Sequence, residues 1–226
     1  MRHPLRRRKP VVEHDSQLDV LGRALRERTE ELKRSRAVTI RLLATAIDVR
    51  DDHTGEHAAR TAEYAYAIAR RLGLSDTEAH VLRLAVPLHD IGKIAIPDAI
   101  LHKPGPLTLG ERLMVETHAE TGYRMLAGSG DELLEIAATI AWTHHERIDG
   151  SGYPRGLVGT EIPAVSRLTA VADVADALMS SRPYRAAYTR ERAVEMLLEQ
   201  RGSRLDADMV DALVAEISAS SHQVAS

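Results

Sequence analysis

Apolar residues recur at intervals of about three to four residues along most of the chain, which is the period of an amphipathic α-helix. The segment from Ser16 to Arg36 is highly charged and has leucines at heptad spacing. These leucines are Leu18, Leu21, Leu25 and Leu32. Because Arg28 and Ser35 interrupt the same seam, the segment predicts only a short candidate coiled coil. No stretch has the pattern of a strand, so the sequence predicts an all-α helical bundle with an N-terminal helical extension.

The apolar pattern also divides the chain. Residues 1–36 form a basic tail and a helical linker, and the apolar face becomes stronger from Ile40 onward. We therefore predict a globular domain at residues 37–226.

Capping signals place several helix ends. Ser75 with Glu78, and Thr108 with Glu111, match the capping box that opens a helix. The helix that starts after Ser75 is predicted to end at the pair His89-Asp90, with a kink at Pro87.

Composition narrows the classes of function. The chain has 226 residues, a net charge of -3 and no cysteine. The negative net charge argues against DNA or RNA as a partner, because nucleic-acid binding usually needs a basic surface. No apolar run approaches the roughly 20 residues of a membrane helix. The absence of cysteine excludes thiolate metal sites and fits a cytoplasmic protein.

Side chains that can bind metals recur from one predicted helix to the next, beside apolar neighbours. They are His57, His89, Asp90, His118, His144, His145 and Asp173. An interior hydrogen-bonded pair is the alternative for His89-Asp90 taken alone. The whole set suits two metal ions that lie roughly 3.5–4 Å apart and share a bridging carboxylate. This arrangement is used for in-line displacement at phosphorus.

Four motifs together resemble the HD-GYP family, a branch of the HD metal-dependent phosphohydrolases that is known for hydrolysing cyclic di-GMP. The motifs are His89-Asp90-Ile91-Gly92-Lys93, His144-His145-Glu146-Arg147, Asp149-Gly150-Ser151-Gly152-Tyr153-Pro154 and Arg182-Pro183-Tyr184-Arg185. The resemblance covers residues 40–218 and implies a bundle of the HD phosphohydrolase type. It also implies a cyclic di-GMP phosphodiesterase that produces mainly linear pGpG and, more slowly, GMP.

The resemblance implies roles for individual residues. One ion would bind His57, His89 and Asp173, the other would bind His118, His144 and His145, and Asp90 would bridge them. Asp90 and Lys93 are the expected catalytic residues, and the expected substrate contacts are Lys93, Tyr153, Arg182 and Arg185. We also expect three further carboxylates to hydrogen-bond to the ligands or to fix the loops, because metal-binding histidines commonly need such a partner. They are Asp176, Glu146 and Asp149. We expect two divalent ions, iron or manganese, although zinc, cobalt or nickel would also suit nitrogen and oxygen ligands.

Some alternatives stay open at this point. His53 occupies the position at which some relatives hold a third metal through a glutamate, and we favour two metals here. The domain could instead be a non-catalytic sensor of cyclic dinucleotides or a partner-docking module, or it could act on another nucleotide. Expected partners are a second copy of the chain bound through residues 16–36, and an upstream regulatory domain or a GGDEF-type protein.

Overall fold

The computed structural model describes residues 12–51, 55–181 and 185–223, and within these ranges it is helical without a β-strand. The prediction of an all-α protein is thus confirmed. The chain divides into two compact units, Met1–Thr39 and Ile40–Ser226, whereas the sequence had suggested a boundary between residues 36 and 37. Over the described ranges, none of the helices is both long and apolar enough to cross a bilayer.

Helix α1 (Val12–Arg50) begins inside the segment assigned to the basic tail. The heptad leucines of its N-terminal part are all exposed to solvent. Their exposed fractions are 60% for Leu18, 66% for Leu21, 67% for Leu25 and 70% for Leu32. In the second unit, Ile40, Ala44 and Ile47 of the same helix are buried.

The second unit packs its helices around a core of alanine, leucine, isoleucine and valine. After α1, the helices are α2 (His57–Arg71), α3 (Asp76–Ala85), α4 (Asp98–Leu101), α5 (Leu109–Leu126), α6 (Glu132–Thr143), α7 (Ala164–Met179), α8 (Arg190–Gln200) and α9 (Ala207–Gln223). Helix α2 packs against both α3 and α7, and α5 packs against α6. Alanines such as Ala65 and Ala172 are fully buried, so the backbones of neighbouring helices can approach closely.

Both predicted capping boxes are confirmed. Ser75 and Glu78 cap α3 reciprocally, and Thr108 and Glu111 do the same for α5. Thr54 is the predicted N-cap of the helix that contains His57, because threonine is favoured at that position, and it lies outside the described residues.

The predicted end of the helix that starts after Ser75 was wrong, because that helix does not extend to His89-Asp90. Helix α3 ends at Ala85, and a 3-10 segment (Val86–Leu88) follows it. Pro87 has no backbone N–H for the helical ladder and its ring crowds the preceding turn, so the α-helix does not continue. The His-Asp pair therefore lies between this segment and a second 3-10 segment, Ile91–Ala95.

Gly92 fixes the second 3-10 segment against α5. A Cβ atom at this position would lie 2.0 Å from the carbonyl oxygen of His118 and 2.6 Å from the amide nitrogen of Gly122. Only glycine permits this approach without a backbone shift. The close packing places the His-Asp pair next to the α5 turn that contains His118.

Candidate metal centre

Buried histidines from four separate segments converge on Asp90. Two groups of side chains could each hold a metal ion, and each group has its ligand atoms within 4.8 Å of one another. One group is His57, His89 and Asp90; the other is Asp90, His118, His144 and His145. The fold thus brings together six of the seven metal ligands expected from the sequence.

The seventh, Asp173, lies at the edge of the first group. Its Oδ1 is 3.5 Å from Nε2 of His57, and its side chain is 21% exposed. A carboxylate at this distance can complete the ligand set of an ion bound by His57.

The two carboxylate oxygens of Asp90 face different histidines. Oδ2 lies 3.2 Å from Nε2 of His89, on the side of the first group. Oδ1 lies 3.3 Å from Nε2 of His118 and 3.6 Å from Nε2 of His144, on the side of the second group. One carboxylate can therefore contribute an oxygen to each of two ions.

Backbone carbonyls orient three of the histidine rings. Nδ1 of His89 lies 2.9 Å from the carbonyl oxygen of Val86, and Nδ1 of His118 lies 2.7 Å from that of Val115. Nδ1 of His144 contacts the carbonyl oxygen of Ile140 at 3.0 Å. Because a carbonyl only accepts hydrogen bonds, each Nδ1 carries a proton, and Nε2 is the atom of each ring that faces the centre.

These inward-facing atoms have no hydrogen-bond partner among the described residues. They are Nε2 of His89, His118 and His144, together with Oδ1 of Asp90, and all four are buried. A buried polar atom without a partner costs about 1–3 kcal/mol, and four such atoms around one point need a common ligand. A nitrogen- and oxygen-rich donor set of this kind fits divalent metal ions.

The orientation of His57 depends on a second carboxylate. Its Nδ1 lies 2.7 Å from Oδ2 of Asp176, which is almost fully buried. Arg60 donates from Nε to Oδ1 of Asp176 at 2.6 Å and from Nη2 to Oγ of Ser180 at 2.9 Å. Sequence reasoning overlooked Arg60, although its position one helical turn after His57 was a usable signal.

Electrostatics keep the central carboxylate ionised. Burial opposes ionisation of Asp90, but Lys93 and His89 outweigh it and hold the pKa of this carboxyl well below its usual range. Burial also disfavours a charged His89, yet the adjacent Asp90 carboxylate raises the pKa of this imidazole to about 9. Burial lowers the pKa of His118 to about 4 and depresses that of His145 strongly. His118 and His145 are therefore neutral near pH 7, as metal ligands must be.

Lys93 lies between two carboxylates. Its Nζ is 2.5 Å from Oδ2 of Asp51 and 2.8 Å from Oδ2 of Asp90, and its side chain is only 16% exposed. The expected phosphate-facing cation is thus already paired beside the centre. Sequence reasoning did not single out Asp51, because a carboxylate at a helix end has no distinctive pattern.

The loop after α6 closes one side of the centre. Tyr153 stacks on His145 with ring centroids 4.6 Å apart, and its own ring lies 6.3 Å from that of His118. Burial raises the pKa of Tyr153, so the phenol keeps its proton. Gly152 is required there, because a Cβ would lie 2.3 Å from the amide nitrogen of Arg147.

Glu146 holds the same loop through hydrogen bonds to its backbone. Its buried carboxylate accepts hydrogen bonds from the backbone N–H groups of Arg155 at 2.8 Å and Leu157 at 3.0 Å. Arg155 also lies over the Trp142 ring at 4.7 Å. These contacts hold Tyr153 against His145.

Arg185 lies at the C-terminal end of α7. Its Nη2 donates to the carbonyl oxygen of Ala177 at 2.5 Å, and its guanidinium lies 4.2 Å from the centre of the Tyr188 ring. The role of Arg185 in substrate binding stays a prediction. Arg182 and His53 lie outside the described residues.

The chain is similar to several known proteins. A family model for the HD domain matches residues 41–209. The chain is 47% identical over 184 residues, 81% of its length, to the cyclic di-GMP phosphodiesterase response regulator RpfG of Xanthomonas campestris pv. campestris, of which it covers 49%. It is 43% identical over 84% of its length to the 3'3'-cGAMP-specific phosphodiesterase 2 of Vibrio cholerae, of which it covers 35%. The chain thus spans half or less of the length of these curated relatives.

A solved structure supports the fold. The HDG"Y"P protein from Bdellovibrio bacteriovorus superposes with a TM-score of 0.57 at 20% sequence identity, over 72% of this chain and 51% of that one. The match of the HD family model over most of the chain, the similarity to these relatives and the four motifs lead to one conclusion. The chain belongs to the HD domain family, in its HD-GYP branch.

Proposed function

We propose that this protein is a metal-dependent phosphodiesterase that hydrolyses cyclic di-GMP at a di-metal centre. The observation on which the proposal rests is the geometry of Asp90, whose two oxygens face separate histidine groups at 3.2 and 3.3 Å. Hydrolysis of a phosphodiester needs an activated water and stabilisation of negative charge, and two bridged divalent ions supply both when bound.

The residues of the chain would prepare the site for this chemistry. His57, His89 and Asp173 would hold one ion, and His118, His144 and His145 would hold the other. The hydrogen bonds at Nδ1 of His89, His118 and His144 already direct Nε2 of each ring inward, so ion binding needs little rotation of these side chains. Iron or manganese is the proposed metal. Histidine and carboxylate donors also suit zinc, cobalt and nickel, so these are the alternatives.

Cyclic dinucleotides are the substrate class that the relatives indicate. The RpfG relative supports cyclic di-GMP as the substrate. The Vibrio cholerae relative makes 3'3'-cGAMP a second candidate, so both belong in any assay. Lys93, Arg182 and Arg185 are proposed to balance the phosphate charge, and Tyr153 is proposed to shape the substrate side of the pocket. A regulatory domain or GGDEF-type partner, and a cytoplasmic location, stay predictions.

We expect Asp90→Ala to bind less metal and to lose activity by roughly 100-fold or more. Loss of an outer-sphere partner alone costs about 10–100-fold, and a bridging ligand should matter at least as much. Metal content by elemental analysis and hydrolysis of cyclic di-GMP in Mn²⁺ would measure both effects. Asp211→Ala, on a partly exposed carboxylate of α9 paired with Arg201, is the matched control. Full metal content and full turnover in Asp90→Ala would contradict the di-metal assignment.

Arg185→Ala should leave the metal content unchanged and slow hydrolysis roughly 100-fold, the cost of removing one charge-stabilising donor. Arg185→Lys should recover part of the rate, because it restores the charge but not the planar fork. Arg124→Ala on α5, where Arg124 pairs with Glu120, is the control for loss of a surface arginine. If Arg185→Ala keeps normal kinetics but unfolds at a lower temperature, Arg185 only caps α7.

The product pattern provides a further test. We expect linear pGpG to accumulate while GMP appears slowly. One phosphate of pGpG is a free terminal group with extra negative charge, and an imidazole at His53, unlike a glutamate, adds no negative charge to hold a third cation. Time-resolved chromatography of cyclic di-GMP hydrolysis, with pGpG as a separate starting substrate, would compare the two steps. Prompt formation of GMP without a pGpG phase would argue against a two-metal site. Binding of cyclic di-GMP without any product would favour the sensor alternative.

We also propose that a second copy of the chain pairs with the exposed leucines of α1, in parallel. In a parallel coiled coil the g residue of one chain faces the e residue of the next heptad in the other. With Leu18 and Leu25 at position a, these positions are occupied by Glu31 and Arg36, which have opposite charges. This charge complementarity favours self-association over pairing with an unrelated helix.

The double substitution Leu21→Glu/Leu25→Glu should therefore lower the molar mass of the full chain toward that of a monomer, because it places like charges on the seam. Val20→Glu changes an equally exposed residue of the same helix off the seam and should not change the mass. Light scattering after size exclusion measures both variants beside the parent chain. Equal masses for the parent chain and the double variant would rule out this seam.

A further inference from the structure

The C-terminal turn of α1, residues 48–51, contacts both chain segments that contain the first group of metal ligands. Oδ2 of Asp48 accepts a hydrogen bond from the backbone N–H of Ala58 at 2.8 Å, next to His57. Oδ2 of Asp51 lies 2.5 Å from Nζ of Lys93, which in turn reaches Asp90. We call residues 48–51 the anchor turn.

Asp48 supplies a cap that α2 lacks locally. The residue at the N-cap of α2, Glu56, makes no side-chain hydrogen bond to the helix. The first N–H groups of a helix need an acceptor, and a carboxylate there is also favoured by the helix dipole. Asp48 is 4% exposed, so its bond to Ala58 is protected from water. It thereby fixes the turn of α2 in which His57 lies.

Asp51 has a different effect on the other segment. Lys93 is held between Asp51 and Asp90, and both Asp51 and Lys93 have side chains that are only 16% exposed. Without Asp51, the ammonium group would lose its second anchor and its neutralising partner. If the Lys93 ammonium stayed in place, its positive charge would oppose the binding of divalent ions beside Asp90. If it moved away, it would no longer hold the Asp90 carboxylate in position.

We propose that Asp48 and Asp51 are positioning residues of the metal centre, which hold His57 and Asp90 in the relative placement that the first ion needs. Both residues lie at the C-terminal end of α1. Asp48 contacts α2 and Asp51 contacts the segment after α3, so the anchor turn connects the two segments. The kinetic part of this inference rests on the proposed function, whereas the part about metal binding does not.

Three further contacts hold the anchor turn in place. Arg50 donates from Nη2 to the carbonyl oxygen of Ile96 at 2.6 Å and to Oδ1 of Asp98 at 2.8 Å. The carbonyl oxygen of Arg50 lies 2.6 Å from Nε2 of His102. The turn is thus braced against the chain that follows Lys93, and Asp51 does not depend on the lysine for its own position.

The test is titration of the metal-free full chain with Mn²⁺ by calorimetry, followed by kinetics at saturating Mn²⁺. We expect Asp48→Ala to weaken one of two binding events about 10-fold, the lower end of the range for an outer-sphere support. Asp48→Asn, which keeps a good capping oxygen, should restore the affinity. Asp51→Ala should weaken Mn²⁺ binding by a similar factor and lower kcat about 10-fold with little change in KM.

Asp211→Ala is the matched control, because Asp211 is an aspartate paired with an arginine, Arg201, but lies on α9, outside the anchor turn and its contacts. It should bind Mn²⁺ and turn over as the parent chain does. If the alanine variants do not fold, Asp51→Asn, which removes the charge, and Asp48→Glu, which shifts the carboxylate, give the same test.

Unchanged Mn²⁺ affinity and unchanged kcat in the folded Asp48 and Asp51 variants would overturn the inference, even if their unfolding temperatures fall. A parent chain that binds Mn²⁺ but hydrolyses no cyclic dinucleotide would instead contradict the proposed function. The Mn²⁺ titration would then decide the positioning role by itself.

Discussion

The centre depends on one carboxylate that must serve two histidine groups. Adjacent residues of an α-helix point about 100° apart, so His89 and Asp90 could not both face the centre from a regular, straight helix. The chain leaves the α-helix at Ala85 because of Pro87 and lies against α5 because Gly92 has no side chain. These two residues make the backbone geometry in which the oxygens of Asp90 face opposite sides. A histidine-aspartate motif thus needs its flanking proline and glycine as much as its ligands.

The two ligand groups are supported in different ways. His118 and His144 receive their orientation from carbonyl groups three or four residues earlier in their own helices, so each ring is fixed locally. His57 instead depends on Asp176 from α7, and Asp176 is held by Arg60. Orientation of His57 therefore requires the packing of α2 against α7, whereas His89 of the same group is oriented by the nearby carbonyl of Val86. His57 should be the ligand most sensitive to disturbance of the fold. The anchor turn is placed where it can add to this long-range support.

Basic side chains offset part of the negative charge at the centre before any ion binds. Lys93 offsets part of the charge of Asp51 and Asp90, and Arg60 offsets that of Asp176. A carboxylate held in this way stays ionised despite burial, which is the condition for binding a cation at neutral pH. Tyr153 and the loop tied down by Glu146 cover the opposite side, beside His145. The site thus has paired charges in its buried part and a loop that shields one side from water, as expected where charge must be stabilised away from solvent.

The sequence by itself determined the all-α class, both capping boxes, the exclusion of thiolate ligands and the identity of the candidate ligands. The class and the capping boxes depend on patterns within about one or two helical turns, and the exclusion of thiolates depends on composition. The candidate ligands follow from short motifs that resemble a known family. All of these can be read along the chain. The tertiary structure alone decided that Asp90 lies between the two groups, that Asp173 lies at the edge, and that Lys93 pairs with Asp51. His57 and Asp176 are 119 residues apart, and Lys93 and Asp51 are 42 apart, so their contacts depend on how whole helices pack. The partners of Arg60 and Asp51 also come from distant segments. The position of Arg60 one turn after His57 could have suggested a role, but only the packed core shows that it holds Asp176.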